Sequence, residues 1–218
     1  MRAHLLIALA FSALVCYGGR AAEAETLGGD IGDPYRDGLT AFAGGDYGKA
    51  LALLTPLADR GNLKAMTIVG GIYVGGFGVE KDCAKGEPLV MRAAQAGYAR
   101  AQYDMGRFTG TGWCGPINPK ESFAWYLKAA KQRDPDAAFS VGLAYAEGSA
   151  TPIDVGEAYC WFRASLKFFD ENYPSTIDPA ASFLKNKRAA EKNIGLLEGG
   201  LSTSQRERAK KLLCLTGG

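Results

Sequence analysis

The sequence predicts an all-α fold: an α/α solenoid of stacked helix–turn–helix repeats, closed by a C-terminal helical cap. Three observations predict it. The chain returns on itself every 36 residues, with Ala65, Ala101 and Ala137 followed by Val69, Met105 and Val141, then by Gly70, Gly106 and Gly142. Within each repeat, apolar residues recur at i, i+3 and i+4, the spacing of one helix face. A Gly-bearing break splits each repeat in two, at Gly76, Gly112 and Gly148. One helical hairpin cannot bury its own apolar face, so the hairpins must stack.

The stretch from Ala101 to Arg133 shows the unit best. Ala101, Met105, Gly106 and Phe108 form one stripe, and Phe123, Trp125, Tyr126, Ala129 and Ala130 the other. Between them Gly110-Thr111-Gly112, Pro116 and Pro119 cannot continue a helix. Asp82, Asn118 and Asp154 open the second helices as N-caps, their side-chain oxygens accepting from otherwise unpaired first-turn N–H groups. Asp46 keeps the same register for an earlier unit, with Pro34 to Gly45 as its shorter partner helix. The units are expected at about 33–64, 65–100, 101–136 and 137–169. Recurrent Gly and Ala allow close helix approach, and large aromatics fill the space opposite. Trp125→Ala is therefore expected to cost about 3–5 kcal/mol.

These residues carry a resemblance. Ala65, Val69-Gly70, Tyr73, Gly76, Gly78-Val79, Asp82, Ala93-Ala94 and Gly97 resemble a Sel-one-like repeat, a relative of the tetratricopeptide repeat. Trp125-Tyr126, Lys128 and Ala129-Ala130 continue the pattern, as do Tyr145, Gly148, Asp154, Ala158 and Trp161. The resemblance covers about 33–168. It departs at Thr109, Ala150 and Leu166, which marks the last unit as drifting toward a cap. It implies a scaffold whose ligand lies on a concave face lined by the first helix of each unit. By position, that face holds Lys64, Arg100 and Asp136, then Thr67, Tyr103 and Phe139, then Gly71, Arg107 and Leu143. Lys64, Arg100, Tyr103, Arg107, Phe139 and Leu143 are the candidate binding residues. For Phe139 and Leu143, packing against the neighbouring hairpin is an equal reading. An Arg100/Arg107 pair beside Tyr103 suits an acidic or carboxylate-bearing peptide.

Residues 1–24 read as a cleaved signal peptide. Arg2 is followed by an apolar run from Leu5 to Tyr17, too short to span a bilayer comfortably, and by Ala22-Glu23-Ala24. A lipid anchor on Cys16 is the rival reading, opposed by Ala13-Leu14-Val15, which lacks the small residue needed before such a cysteine. The chain is expected to be periplasmic or secreted, with no membrane span. Losing the leader removes Arg2, Arg20 and Glu23, leaving 23 basic against 22 acidic side chains, a net +1. That balance argues against nucleic acid as a partner. Beyond Phe168 the period stops. Residues 170–218 read as a loop (Asp170 to Pro179), a helix (Ala180 to Glu198) and a last helix capped by Ser202 or Thr203 and running to about Leu215.

Of the five cysteines, four follow the leader: Cys83, Cys114, Cys160 and Cys214. An even count in an oxidising compartment suggests two disulfides. Three pairings exist. Cys83 and Cys114 lie near the turns of adjacent units, and Cys214 must dock near the third unit's second helix, so 83–114 and 160–214 are favoured.

The single histidine, His4, falls in the leader. No His-based nucleophile or zinc set is then available, and no metal or cofactor is expected. Gly110 to Gly115 matches G-x-G-x-x-G, but it follows a helix and not a strand, so it reads as the repeat's turn. Ser182 and Lys185 match S-x-x-K without the companion motifs of serine β-lactamases. The leading reading is a non-catalytic, exported scaffold for a protein or peptide partner, of undetermined oligomeric state, acting as an adaptor or envelope regulator. The alternative is a hydrolase or binder of cell-wall peptide or β-lactam using Ser182 and Lys185.

Overall fold

The computed structural model describes residues 33–172 and 181–215. The expected leader, with Cys16 and the expected cleavage site, lies outside the described residues, as does most of the loop expected after Asp170. The described chain is helical throughout, without strands: α1 Pro34–Ala43, α2 Tyr47–Asp59, α3 Leu63–Gly75, α4 Cys83–Gln95, α5 Ala99–Thr111, α6 Pro119–Lys131, α7 Pro135–Glu147, α8 Val155–Asn172, α9 Ala181–Glu198 and α10 Thr203–Lys210, with a short 3-10 turn at Leu213–Leu215.

Local chemistry sets the helix limits. Asp46, Asp82, Asn118 and Asp154 accept the N–H of Lys49, Lys85, Glu121 and Glu157 at 3.0, 2.9, 3.2 and 2.9 Å. Asn62 and Asp134 do the same for α3 and α7. The first helices therefore begin two residues before the recurrent alanines, at Leu63, Ala99 and Pro135. They end at Gly76, Gly112 and Gly148, with φ of 68°, 70° and 69°, the left-handed region that glycine enters without a Cβ penalty.

Helices pack against their neighbours in chain order, α1 on α2, α2 on α3 and so on to α8. Close approach at the recurrent glycines makes this possible. A Cβ on Gly70 would stand 2.6 Å from the Gly86 carbonyl oxygen, and one on Gly142 would stand 2.8 Å from the Phe162 ring. The next residue, Gly71, is the opposite case: a Cβ there meets nothing within 4 Å. Two adjacent substitutions in α3 should differ in sign. Gly70→Ala is expected to destabilise by about 1–3 kcal/mol through overpacking. Gly71→Ala is expected to stabilise by about 0.5–1 kcal/mol through helix propensity. Urea midpoints of the two variants check this.

The C-terminal segment caps the stack in two places. Helix α8 runs on to Asn172, beyond the expected end of the period. Helix α10, capped by a Ser202–Gln205 capping box, stops at Lys210 and not near Leu215. Leu212, at φ 51°, turns the chain so that Cys214 reaches Cys160. Leu201, Ala209 and Cys214 then join one core cluster with Trp161, which is 1% exposed. Among the described residues the equivalent Trp125 has no cap like that over Trp161, and it stays half-buried under the Lys128 ammonium, 4.2 Å from its ring. The large expected cost of losing a tryptophan therefore moves from Trp125 to Trp161. Disulfides Cys83–Cys114 and Cys160–Cys214, with Cα separations of 5.5 and 6.0 Å, tie the middle of the stack and its cap.

Candidate functional site

The first helices α3, α5 and α7 present their equivalent rows along one face. Lys64 is exposed, its ammonium 5.9 Å from the Tyr35 ring. Arg100 is 46% exposed and lies over the Tyr103 ring at 4.7 Å, 3.3 Å from Asp136 and 3.8 Å from Asp104. Arg107 meets Asp104 at 3.6 Å and stands 5.9 Å from the Tyr103 ring and 5.0 Å from Trp113. Asp104 thus sits between both guanidinium groups. Burial opposes the Arg100 charge, but Asp104, Asp134 and Asp136 outweigh it and hold its pKa raised. Burial raises Tyr103, with Asp136 adding and the two arginines opposing. Burial likewise raises Asp104 against the pull of Arg100 and Arg107.

This geometry corrects the simple picture of a free arginine pair. Arg100 faces three aspartates and is committed within the fold. Arg107 has only the shared Asp104 within ion-pair reach among the described residues. Phe139 is also not a ligand-facing residue. It is 8% exposed, 5.6 Å from the Phe162 ring, in a cluster with Ala158 and Ala190. The reason is α9, which folds back over α7: Asn186 donates to the Asp136 carboxylate at 2.8 Å beside that cluster. Leu143 is half-buried and partly packed into the same cluster, while also lining an open cleft with Tyr126, Ser140 and Glu147. A second cleft, of about 160 Å³, runs across α1, α3 and α5, away from α9. It takes in Ile68, Gly71, Arg100, Asp104 and Arg107, with four aromatic residues around them.

Comparison with known proteins fits the helix limits. The Sel1 repeat family model matches residues 31–62, 63–98, 99–134 and 135–166, more than half of the chain. The chain belongs to the Sel1 repeat family. The Sel1 unit borders fall where α3, α5 and α7 begin. Similar solved structures include c5321, a protective antigen of uropathogenic Escherichia coli with an SLR fold, at 24% identity and a TM-score of 0.60. The match covers 76% of this chain and 32% of that one, so this chain spans about a third of the antigen's length. A Sel1 repeat protein from Oxalobacter formigenes matches at 23% identity and a TM-score of 0.50, over 65% of this chain and 98% of that one. At such identities the likeness shows the fold alone. Sel1 repeat proteins in general mediate protein interaction.

Within the Sel1 units, sequence reasoning missed Asp104 and the aromatic residues of the cleft. The spacing Arg100, Asp104, Arg107 is an i, i+4 and i, i+3 ion-pair pattern that could have flagged the first. Phe77 and Trp113 occupy one turn position 36 residues apart, a repeat signal hidden by treating the turns as breaks. Lys185 is exposed on α9, and the Ser182 side chain lies outside the described residues. Among the described residues no helix is long and apolar enough to cross a membrane.

Asp134 gives the site a pH signature. Burial pushes its carboxyl up to about 6 from 3.8, against the Ala137 N–H and Arg100, with Asp136 and Asp104 adding to the rise. The folded chain then binds more protons than the unfolded chain between about pH 4 and 6, so stability falls as pH rises through that window. Asp134→Asn keeps an N-cap while removing the charge. It is expected to stabilise at pH 7 by about 1 kcal/mol and to flatten the slope between pH 4 and 6. Urea midpoints at pH 4.5 and 7 decide it.

Proposed function

We propose that this Sel1 repeat protein is an exported, non-catalytic scaffold that holds a segment of another protein against the face of α1, α3 and α5. The supporting observation is that this face keeps Arg107 and its aromatic surroundings open, while α9 covers the equivalent surface of α7. Arg100 lines the open part, Tyr103 lies under Arg100 and Arg107 beside it, Lys64 stands near Tyr35, and Leu143 belongs to the separate cleft between α6 and α7. The two disulfides favour an oxidising compartment, which supports a periplasmic or secreted location. An adaptor or envelope regulator is the role that fits. The test is in-cell crosslinking from a photo-reactive residue at position 103. One dominant protein partner, lost in Arg107→Ala while the fold is kept, is the expected result. A folded, exported protein that captures no protein would overturn it.

A further inference from the structure

The cleft across α1, α3 and α5 has a feature that packing does not require. Gly71 sits in the interior of α3, where glycine is unfavourable, yet a Cβ there meets nothing within 4 Å. It differs from Gly70, Gly106 and Gly142, where a helix or ring presses against the missing side chain. What Gly71 does is leave the floor of the cleft bare. Around that floor stand Phe42, Ile68, Phe77, Phe108 and Trp113. Their arrangement is braced: Phe77 stacks on Tyr47, itself against Phe42, and Trp113 stacks on Phe108 at 5.6 Å. The Trp113 wall is held covalently as well. Its neighbour Cys114 is bonded to Cys83, and the Lys81 ammonium donates to the Trp113 carbonyl oxygen at 2.5 Å.

The cleft, open to solvent on one side and about 160 Å³ in volume, is of the size of one aromatic ring; an apolar cavity of about 150 Å³ accepts benzene. Charge around it is not neutral. Its lining carries Arg100 and Arg107 against Asp104 alone, while Asp136 meets Arg100 from outside the cleft. Asp134 and Asp136 act on Arg100, so Arg107 is the guanidinium that shares its one carboxylate, Asp104, and it is 37% exposed beside Trp113. A guanidinium there attracts both an aromatic face and a carboxylate.

We propose that the cleft floored by Gly71 is an anchor pocket for one aromatic side chain of a partner protein, whose adjacent carboxylate pairs with Arg107. This rests on the scaffold reading and names the chemistry of its partner. Because the walls are braced before binding, little ordering is needed on capture.

The test uses two probes, N-acetyl-tryptophan, which carries a carboxylate, and its amide, which does not. Binding to the oxidised, leader-free protein is followed by backbone amide NMR. The expected result is saturable shifts at Gly71, Arg107 and the Trp113 indole, with the amide binding about threefold more weakly. Gly71→Leu, whose side chain enters open space, should keep the fold and weaken the acid probe by at least about tenfold. Arg107→Gln should abolish the preference for the acid. No saturable shifts, unchanged affinity in Gly71→Leu, or equal affinity for acid and amide would each overturn the proposal. Crosslinking at position 103 separates the two readings. A partner captured equally by wild type and Gly71→Leu keeps the scaffold and sinks the pocket. No partner, with fragment binding intact, sinks the scaffold reading and, with it, the protein ligand proposed for the cleft. A dimer that Gly71→Leu converts to monomer would make a second copy the occupant and overturn the proposal too.

Discussion

Trp161→Ala is expected to lower unfolding stability by about 3–5 kcal/mol. Trp161 is 1% exposed and lies where α8 meets the cap formed by α10 and the last turn. Truncation leaves a cavity walled on one side by a segment that the Cys160–Cys214 bond pins in place, which limits how far that wall can shift to fill it. Trp125→Ala, at the same place in the preceding unit, is expected to cost about 1–2 kcal/mol because its ring is already half in water. Paired urea titrations settle the contrast, and equal midpoints would show that the cap does not bury Trp161 as described.

Reducing Cys160–Cys214 should have the second largest effect. The bond closes a sequence separation of 54 residues, so the chain-entropy estimate is about 4 kcal/mol. Cys83–Cys114 closes 31 residues and falls only slightly below it by the same estimate. The two differ in where the loss appears. Cys214→Ser should release α10 and the last turn, exposing Trp161 and shifting its fluorescence to the red before global unfolding. Cys83→Ser should loosen the Trp113 wall while leaving Trp161 fluorescence unchanged. Peptide-resolved hydrogen exchange of the two variants checks the assignment.

The repeat was legible because its determinants are local. An N-cap at Asp82, Asn118 or Asp154 needs only its own first turn, and Gly76, Gly112 and Gly148 need only their own φ, so a 36-residue register shows directly in the chain. What α9 covers was not legible. Its sequence shows an amphipathic helix, but no period says which surface receives it, so the sequence leaves Phe139 equally open to ligand binding and to packing, and α9 helps to bury it. The candidate site divided in the same way. Arg107 and Tyr103 follow from register alone, and the spacing of Asp104 from both arginines within α5 permits its two pairs, whereas the Arg100–Asp136 pair depends on how α5 and α7 sit together. Trp113 escaped notice because its wall is built by a turn, a disulfide and the Lys81 contact together.

The covalent ties also govern how the molecule behaves under tension. Pulled from its two ends, a stack whose helices grip only their neighbours lengthens one hairpin at a time. The segments closed by the two disulfides, 31 and 54 residues, cannot join that extension while the bonds are intact. At about 3.3–3.6 Å per residue, roughly 300 Å of chain stays out of reach. The oxidised protein is therefore a short tether with two hard stops, and the reduced protein a long one.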